Sequence, residues 1–268
     1  MHAFDYHRPA TLKDAAAFLK KNPDARILGG GQSLIPTLKM RLAQTPTLVD
    51  INALVELHAI KLEAAVLTVG AGLRHTDVAT SKEVMIGVPS LATVAAGIGD
   101  RQVRNMGTLG GALANNDPAA DYPAAVLGLG ATIHTNRRAI AADKFFIGLY
   151  ETALKPGEII VSVAFPLPKR AAYVKFKNPA SRFALVGVFV SEGAGQVRVA
   201  VTGAGNAGVF RVKEMEKKLT EKFAPETIAK SKVPADKLIT DLHAGADYRA
   251  HLITVLAQRA VTAALSGK

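Results

Sequence analysis

Along the first fifty residues, apolar positions come in short blocks whose period switches between strand and helix. Residues 4–7 read as a brief strand. Leu12, Ala15, Ala16 and Leu19 then recur at helical spacing, and Thr11 stands where it can cap a helix reaching Lys21. Residues 26–28 read as a second strand, 34–42 as a second helix and 47–51 as a third strand. This β-α-β-α-β order predicts a small parallel three-stranded sheet.

The pattern then changes. Residues 59–62 and 66–71, parted by Glu63, Ala64 and Ala65, read as a hairpin, and 131–135 and 159–165 as further strands with helical stretches between them. A mixed or antiparallel sheet is expected here, closed off by Pro166 and Pro168. Beyond Lys169, residues 172–177, 184–191 and 196–202 read as three strands of an antiparallel sheet, with a turn at 192–195. Helices are expected over 212–220, 225–231 and 248–265, the last carrying Leu252, Val255, Leu256, Ala260 and Ala263 on one face. The whole reads as an α+β chain in three units, 1–55, 56–168 and 169–268, without internal repeats.

With 268 residues, 49% of them hydrophobic, the chain can bury a substantial core. It has no apolar run of about 18 residues or more, and its first residues lack the basic start and apolar stretch of a signal peptide, so a soluble, cytoplasmic protein is expected. The absence of cysteine excludes disulfides, thiolate nucleophiles, thiolate-bound zinc and all-cysteine iron–sulfur clusters. Seven histidines show no metal-binding spacing, and no metal ligand is expected. The net charge of +11 raises the question of nucleic acid. Its excess lies mostly after Pro168, interleaved with Glu214, Glu216 and Glu221 and without an aromatic platform for bases. Acidic protein partners fit that distribution better than nucleic acid.

Two segments carry candidate chemistry. In Arg26-Ile27-Leu28-Gly29-Gly30-Gly31-Gln32-Ser33-Leu34 a strand passes through three glycines into a helix start. Without Cβ atoms, consecutive amides can converge on one anion, Ser33 adds a hydroxyl, and a diphosphate would fit. The second segment, Gly107-Thr108-Leu109-Gly110-Gly111, leads to Asp117 and Asp121, whose carboxylates could accept from ribose hydroxyls. Each segment also has a plain structural reading, as a tight turn or as a helix entrance packed through glycine and alanine. A Rossmann arrangement is a further alternative: Gly29 and Gly31 match the first two glycines of GxGxxG, and Asp50 lies where a ribose-binding acid would, but Leu34 takes the third glycine position. No nucleophile–base pair is evident and no catalytic side chain is expected, so the reactive part should be a cofactor.

Several motifs occur in an order that resembles the FAD subunit of the molybdenum hydroxylase (xanthine oxidase) family. They are Gly29-Gly30-Gly31-Gln32-Ser33-Leu34-Ile35-Pro36, Thr47-Leu48-Val49-Asp50-Ile51, Arg104-Asn105-Met106-Gly107-Thr108-Leu109-Gly110-Gly111, and Asn116-Asp117-Pro118-Ala119-Ala120-Asp121-Tyr122-Pro123. Phe176-Lys177-Asn178-Pro179-Ala180-Ser181-Arg182 and Val201-Thr202-Gly203-Ala204-Gly205 extend the likeness over nearly the whole chain, which is most similar to the aerobic carbon monoxide dehydrogenase branch.

The resemblance implies an FAD-binding fold of the PCMH type, with FAD between the N-terminal and middle units. By that likeness 29–33 and 108–111 hold the diphosphate, Leu34 and Asp117 belong to the site, Asp121 meets the ribityl or ribose, Ile160 the adenine or flavin surroundings and Lys177 the flavin side. Phe183 would shield the flavin ring or serve as an ordinary strand residue. The resemblance also implies a large subunit with the molybdenum cofactor, a small subunit with two 2Fe-2S clusters, and a dimer of heterotrimers that can associate with the inner face of the membrane through the complex. Carbon monoxide is the first substrate implied, followed by aldehydes, purines and N-heterocycles; the acceptor, whether quinone, NAD or oxygen, stays open. A self-contained flavoenzyme and a basic module binding anions or nucleic acid are the competing readings. A valine at Gly30 or Gly110 is expected to obstruct the diphosphate and lose FAD while leaving most of the fold intact.

Overall fold

Thr11 acts as its position predicts: in the computed structural model, which describes residues 1–267, its hydroxyl accepts the Asp14 N–H at 3.1 Å and starts α1 (Leu12–Lys21). Around this helix, β1 (Asp5–His7), β2 (Arg26–Leu28) and β3 (Thr47–Asp50) form a parallel sheet in the order β1-β3-β2. The second helix, α2 (Leu34–Lys39), stops before the expected residue 42. Arg41 turns left-handed at φ 57°, its N–H donates to the Leu38 carbonyl and the Leu42 N–H to that of Thr37, which is the Schellman closure usually built on glycine.

The middle sheet is antiparallel throughout, in the order β4-β5-β10-β6-β7. Its strands are β4 (Ile60–Glu63), β5 (Val66–Gly70), β6 (Thr132–Thr135), β7 (Ala139–Ala141) and β10 (Ile160–Pro166). The strand latest in sequence lies at the centre, with Val163 opposite both Val69 and Ile133. Its Val163 and Phe165 side chains are fully buried, which favours a position flanked on both edges. Neither β7 nor the small hairpin of β8 (Phe146–Gly148) and β9 (Glu151–Thr152) is expected from the apolar pattern. Six short helices fill the expected helical stretches: α3 (His75–Thr80), α4 (Lys82–Gly87), α5 (Pro89–Ala96), α6 (Arg101–Arg104), α7 (Leu109–Asn115) and α8 (Tyr122–Gly128).

The last sheet runs β11 (Arg170–Lys177), β12 (Ala184–Gly193), β13 (Gln196–Thr202) and β14 (Phe210–Arg211), all antiparallel. The three expected strands are there, and β14 extends them by a two-residue fourth. Burial on both faces accounts for the continuous apolar run of β12: Val186, Val188 and Val190 join the core under the C-terminal helices, while Phe189 joins the core of the middle sheet. Two helices follow, α9 (Lys213–Glu221) and α10 (Ala246–Ser266), and the helix expected over 225–231 is a single 3-10 turn at Pro225–Ile228.

Candidate functional site

The first glycine loop leaves β2 at Leu28 and is gripped from β3's end. Asn52 donates from Nδ2 to the Gly29 carbonyl at 2.9 Å and to Asp50 Oδ1 at 2.7 Å, and its own N–H reaches the same Oδ1 at 2.9 Å. A planar trans peptide with its carbonyl pinned directs the following N–H, that of Gly30, the opposite way. Gly31 turns left-handed at φ 70°. Among the described residues, the N–H groups of Gly30, Gly31, Gln32 and Ser33 have no hydrogen-bond acceptor, and the Ser33 side chain makes no bond capping α2. Successive undirected donors of this kind form a concavity for an anion. Asp50 is engaged within the protein, its Oδ2 accepting from the Tyr6 hydroxyl and its Oδ1 from the backbone and side-chain N–H groups of Asn52. That engagement, with Leu34 in place of the third glycine, counts against the Rossmann alternative.

The second loop is built differently. Its N–H groups are directed into the protein: Gly107 to Val103 O at 2.7 Å, Leu109 to Leu73 O at 3.0 Å, Gly110 to Ala71 O at 2.8 Å, and Gly111 to Thr108 Oγ1 at 3.1 Å. Thr108, the N-cap of α7, retains an undonated N–H, and its hydroxyl accepts from Gly111 while keeping its own proton to donate.

The two loops touch. A Cβ on Gly30 would collide with the Met106 carbonyl oxygen and come within 2.6 Å of the Gly107 Cα, and one on Gly29 would approach Thr108 Oγ1 at 3.2 Å. The expectation that a side chain at Gly30 or Gly110 would obstruct the ligand and leave most of the fold intact is therefore corrected, because both positions are packed against the protein itself. At Gly30 the space belongs to the second loop, and at Gly110 to Ala71, whose Cβ and carbonyl oxygen lie 2.6 and 2.9 Å from the added atom.

Together the loops wall a cleft of about 1490 Å³ between the first and middle sheets, large enough for an extended dinucleotide. Gly29, Gly30, Gly31, Gln32, Ser33 and Leu34 lie on one wall; Thr108, Gly110, Gly111, Asp117, Asp121 and Ile160 lie on others. Leu109 does not reach it, being buried in the middle core, and Lys177 sits exposed at the end of β11, off the wall. Phe183 is half-exposed and does line the cleft, beside Arg182.

The acids on the walls are engaged internally. Asp121 is buried, with both oxygens on Lys175 Nζ at 2.9 and 3.0 Å and Oδ1 also accepting from the Tyr173 hydroxyl at 2.5 Å. Burial raises its carboxyl, and Lys175 and Tyr173 act against that rise. Asp117 accepts the Ala119 N–H at 2.8 Å and the Tyr150 hydroxyl at 3.2 Å. Hydrogen bonds from Arg138 hold Glu158 at about 2 despite its burial. An anion entering beside Glu158 and Asp121 meets carboxylates already paired with cations.

Sequence reasoning missed Asn52 and His75. Asn52 follows Asp50 by two residues, a spacing that suits a local Asx turn and could have been noticed. Nothing in the sequence separates His75 from the other six histidines. Among the described residues no three acidic or imidazole side chains cluster to hold a metal, and no helix is long and apolar enough to cross a membrane.

Comparison with known proteins gives consistent matches over the whole length. Residues 2–168 match the family described as the FAD binding domain in molybdopterin dehydrogenase. The carbon monoxide dehydrogenase medium chain of Hydrogenophaga pseudoflava is 32% identical over 97% of this chain and 96% of its own. The glyceraldehyde dehydrogenase medium chain of Sulfolobus acidocaldarius is 34% identical over 96% of both. The crystal structure of quinoline 2-oxidoreductase from Pseudomonas putida 86 superposes with a TM-score of 0.91 at 32% identity, covering 99% of this chain and 98% of that one.

Proposed function

The chain belongs to the family of FAD-binding domains of molybdopterin dehydrogenases, and from that premise we propose that it is the FAD-carrying medium subunit of a molybdenum/iron–sulfur hydroxylase. The observation that carries the proposal is the row of acceptorless N–H groups at Gly30, Gly31, Gln32 and Ser33, facing a glycine wall with no room for side chains. These amides, with the Thr108 N–H and hydroxyl, would hold the FAD diphosphate. Gly29, Gly110 and Gly111 would shape the walls, and Gln32 and Leu34 would flank the phosphates. Ile160 and Phe183 would supply apolar surface to a ring, Asp117 and Asp121 would bound the ribityl side, and Lys177 would stand at the outer rim toward the flavin. Bound there, FAD supplies the capacity to accept electrons singly and deliver them in pairs. The division into units 1–55, 56–168 and 169–268 is supported by a three-stranded, a five-stranded and a four-stranded sheet in turn, the middle unit adding the small β8-β9 hairpin.

In this reading a small partner subunit brings 2Fe-2S clusters, a large one brings the molybdenum cofactor and the substrate site, and the assembly is a dimer of heterotrimers in the cytoplasm. The support is that the two relatives named above are medium chains of dehydrogenases, and that a chain without cysteine must leave thiolate-held clusters to others. The relatives' names span carbon monoxide, glyceraldehyde and quinoline, as expected where another polypeptide selects the substrate. Carbon monoxide is our first choice for this complex. Titration of flavin-free chain with FAD should give one tightly bound, reducible flavin per chain; colourless protein that cannot be reconstituted would refute the proposal. Molybdenum and iron in the native complex distinguish the subunit from a self-contained flavoenzyme.

A further inference from the structure

His75 opens α3 and is fastened to the second loop, its backbone N–H donating to the Gly107 carbonyl at 3.0 Å. The imidazole is buried, tilted against the Tyr122 ring with centroids 5.3 Å apart. Nδ1 is sealed from solvent and has no hydrogen-bond partner among the described residues. The Nε2 edge lies against Gly107, where an added Cβ would come within 2.5 Å of that nitrogen, and the Gly107 Cα in turn backs onto Gly30. Imidazole, second loop and first loop are thus in sequential contact, and His75 stands on the wall of the cleft where the loops join.

Burial, with the nearby Arg104 charge acting in the same direction, pushes the imidazole down to about 4, so it is neutral near pH 7. A neutral imidazole has one N–H and one lone pair, and a histidine serving only the core normally satisfies at least one of them. Among the described residues neither nitrogen has a hydrogen-bond partner, and of the two only Nδ1 is sealed.

We propose that His75 is a cofactor-positioning residue that hydrogen-bonds through Nε2 to the diphosphate–ribityl part of FAD. The assignment rests on the FAD reading of the cleft and adds to it a neutral side-chain ligand beside the backbone donors. The test titrates flavin-free full-length protein with FAD, following quenching of flavin fluorescence, for wild type, His75→Phe and His75→Gln. His75→Phe keeps a ring and removes both nitrogens, and it is expected to bind FAD about tenfold more weakly, while His75→Gln recovers most of the loss. The flavin-free His75→Phe protein should melt no lower than wild type, since an unpaired polar group has left a buried position. A merely structural role would lower the melting temperature and leave the affinity of the folded protein unchanged.

Wild-type affinity in His75→Phe, with tight binding by wild type, overturns this assignment and leaves the FAD site standing. Failure of wild type itself to bind FAD overturns the reading of the cleft and the assignment together. Should His75→Phe not fold, nitrogen-15 spectra of the wild-type histidines decide: FAD should shift the Nε2 resonance of His75 more than its Nδ1 resonance, and an unmoved Nε2 overturns the proposal.

Discussion

The loops at 29–33 and 107–111 have similar compositions and lie against each other, yet they use their backbones in opposite ways. In the first, four successive N–H groups lack acceptors and Asn52 fixes the carbonyl behind them. In the second, the N–H groups of Gly107, Leu109, Gly110 and Gly111 are all bonded within the protein, and Thr108 alone keeps its own free. Gly107 and Gly110 are small because His75 and Ala71 occupy the places their side chains would take. Glycine thus serves donor exposure in one loop and close packing in the other. Composition cannot separate these roles, whereas a census of where each N–H goes does.

The comparison breaks most visibly at Asp121, which belongs to the segment following the second loop. If that segment is scaffold, Asp121→Asn removes the partner of a buried Lys175 and destabilises the fold by about 3–5 kcal/mol in urea unfolding, leaving the FAD affinity of folded protein within about threefold of wild type. Weak FAD binding with near-normal stability would instead make Asp121 a ligand. Next in size is a pair of alanine substitutions. Gly110→Ala should cost about 1–3 kcal/mol of stability through its collision with Ala71, with little change in FAD affinity. Gly31→Ala, at φ 70°, should cost about 1 kcal/mol and redirect the free amides, weakening FAD about tenfold or more. Equal losses of affinity in the two variants would erase the distinction between the loops.

What the sequence made legible follows from short-range physics. Alternation and β-branched runs located the central strands β10, β12 and β13, and Thr11 announced its cap. The left-handed Arg41 that shortens α2 carries no glycine or asparagine to signal it. In the site, the glycine loops were legible as loops, but their division of roles depends on partners distant in sequence. Asn52 reaches back 23 residues to Gly29, and Lys175 reaches 54 residues to Asp121. A lone carboxylate beside a glycine loop looks like a ribose acceptor until the lysine that neutralises it is located. His75 was illegible for the same reason, since only burial without a partner distinguishes it.

Asn52→Ala tests the first loop without touching a glycine. Releasing the Gly29 carbonyl lets the free amides lose their common direction, so FAD affinity should fall about tenfold while stability drops by about 1 kcal/mol, read from titration and thermal melting. An unchanged affinity would mean that the loop holds its shape without the clamp.

The smallest effect, and the sharpest discrimination, is expected at Thr108. Thr108→Val keeps the side chain's shape, removes the cap on α7 and frees the Gly111 N–H. Stability should fall by about 1 kcal/mol, the usual cost of a lost N-cap. For FAD the two views of the second loop give opposite signs. If that loop were a donor like the first, a newly freed amide would strengthen binding. If it is a wall whose contribution is the Thr108 hydroxyl, binding weakens about threefold. Thr108→Ser, which retains the hydroxyl, should return both quantities toward wild type, so the sign of the affinity change in the valine variant decides which kind of loop this is.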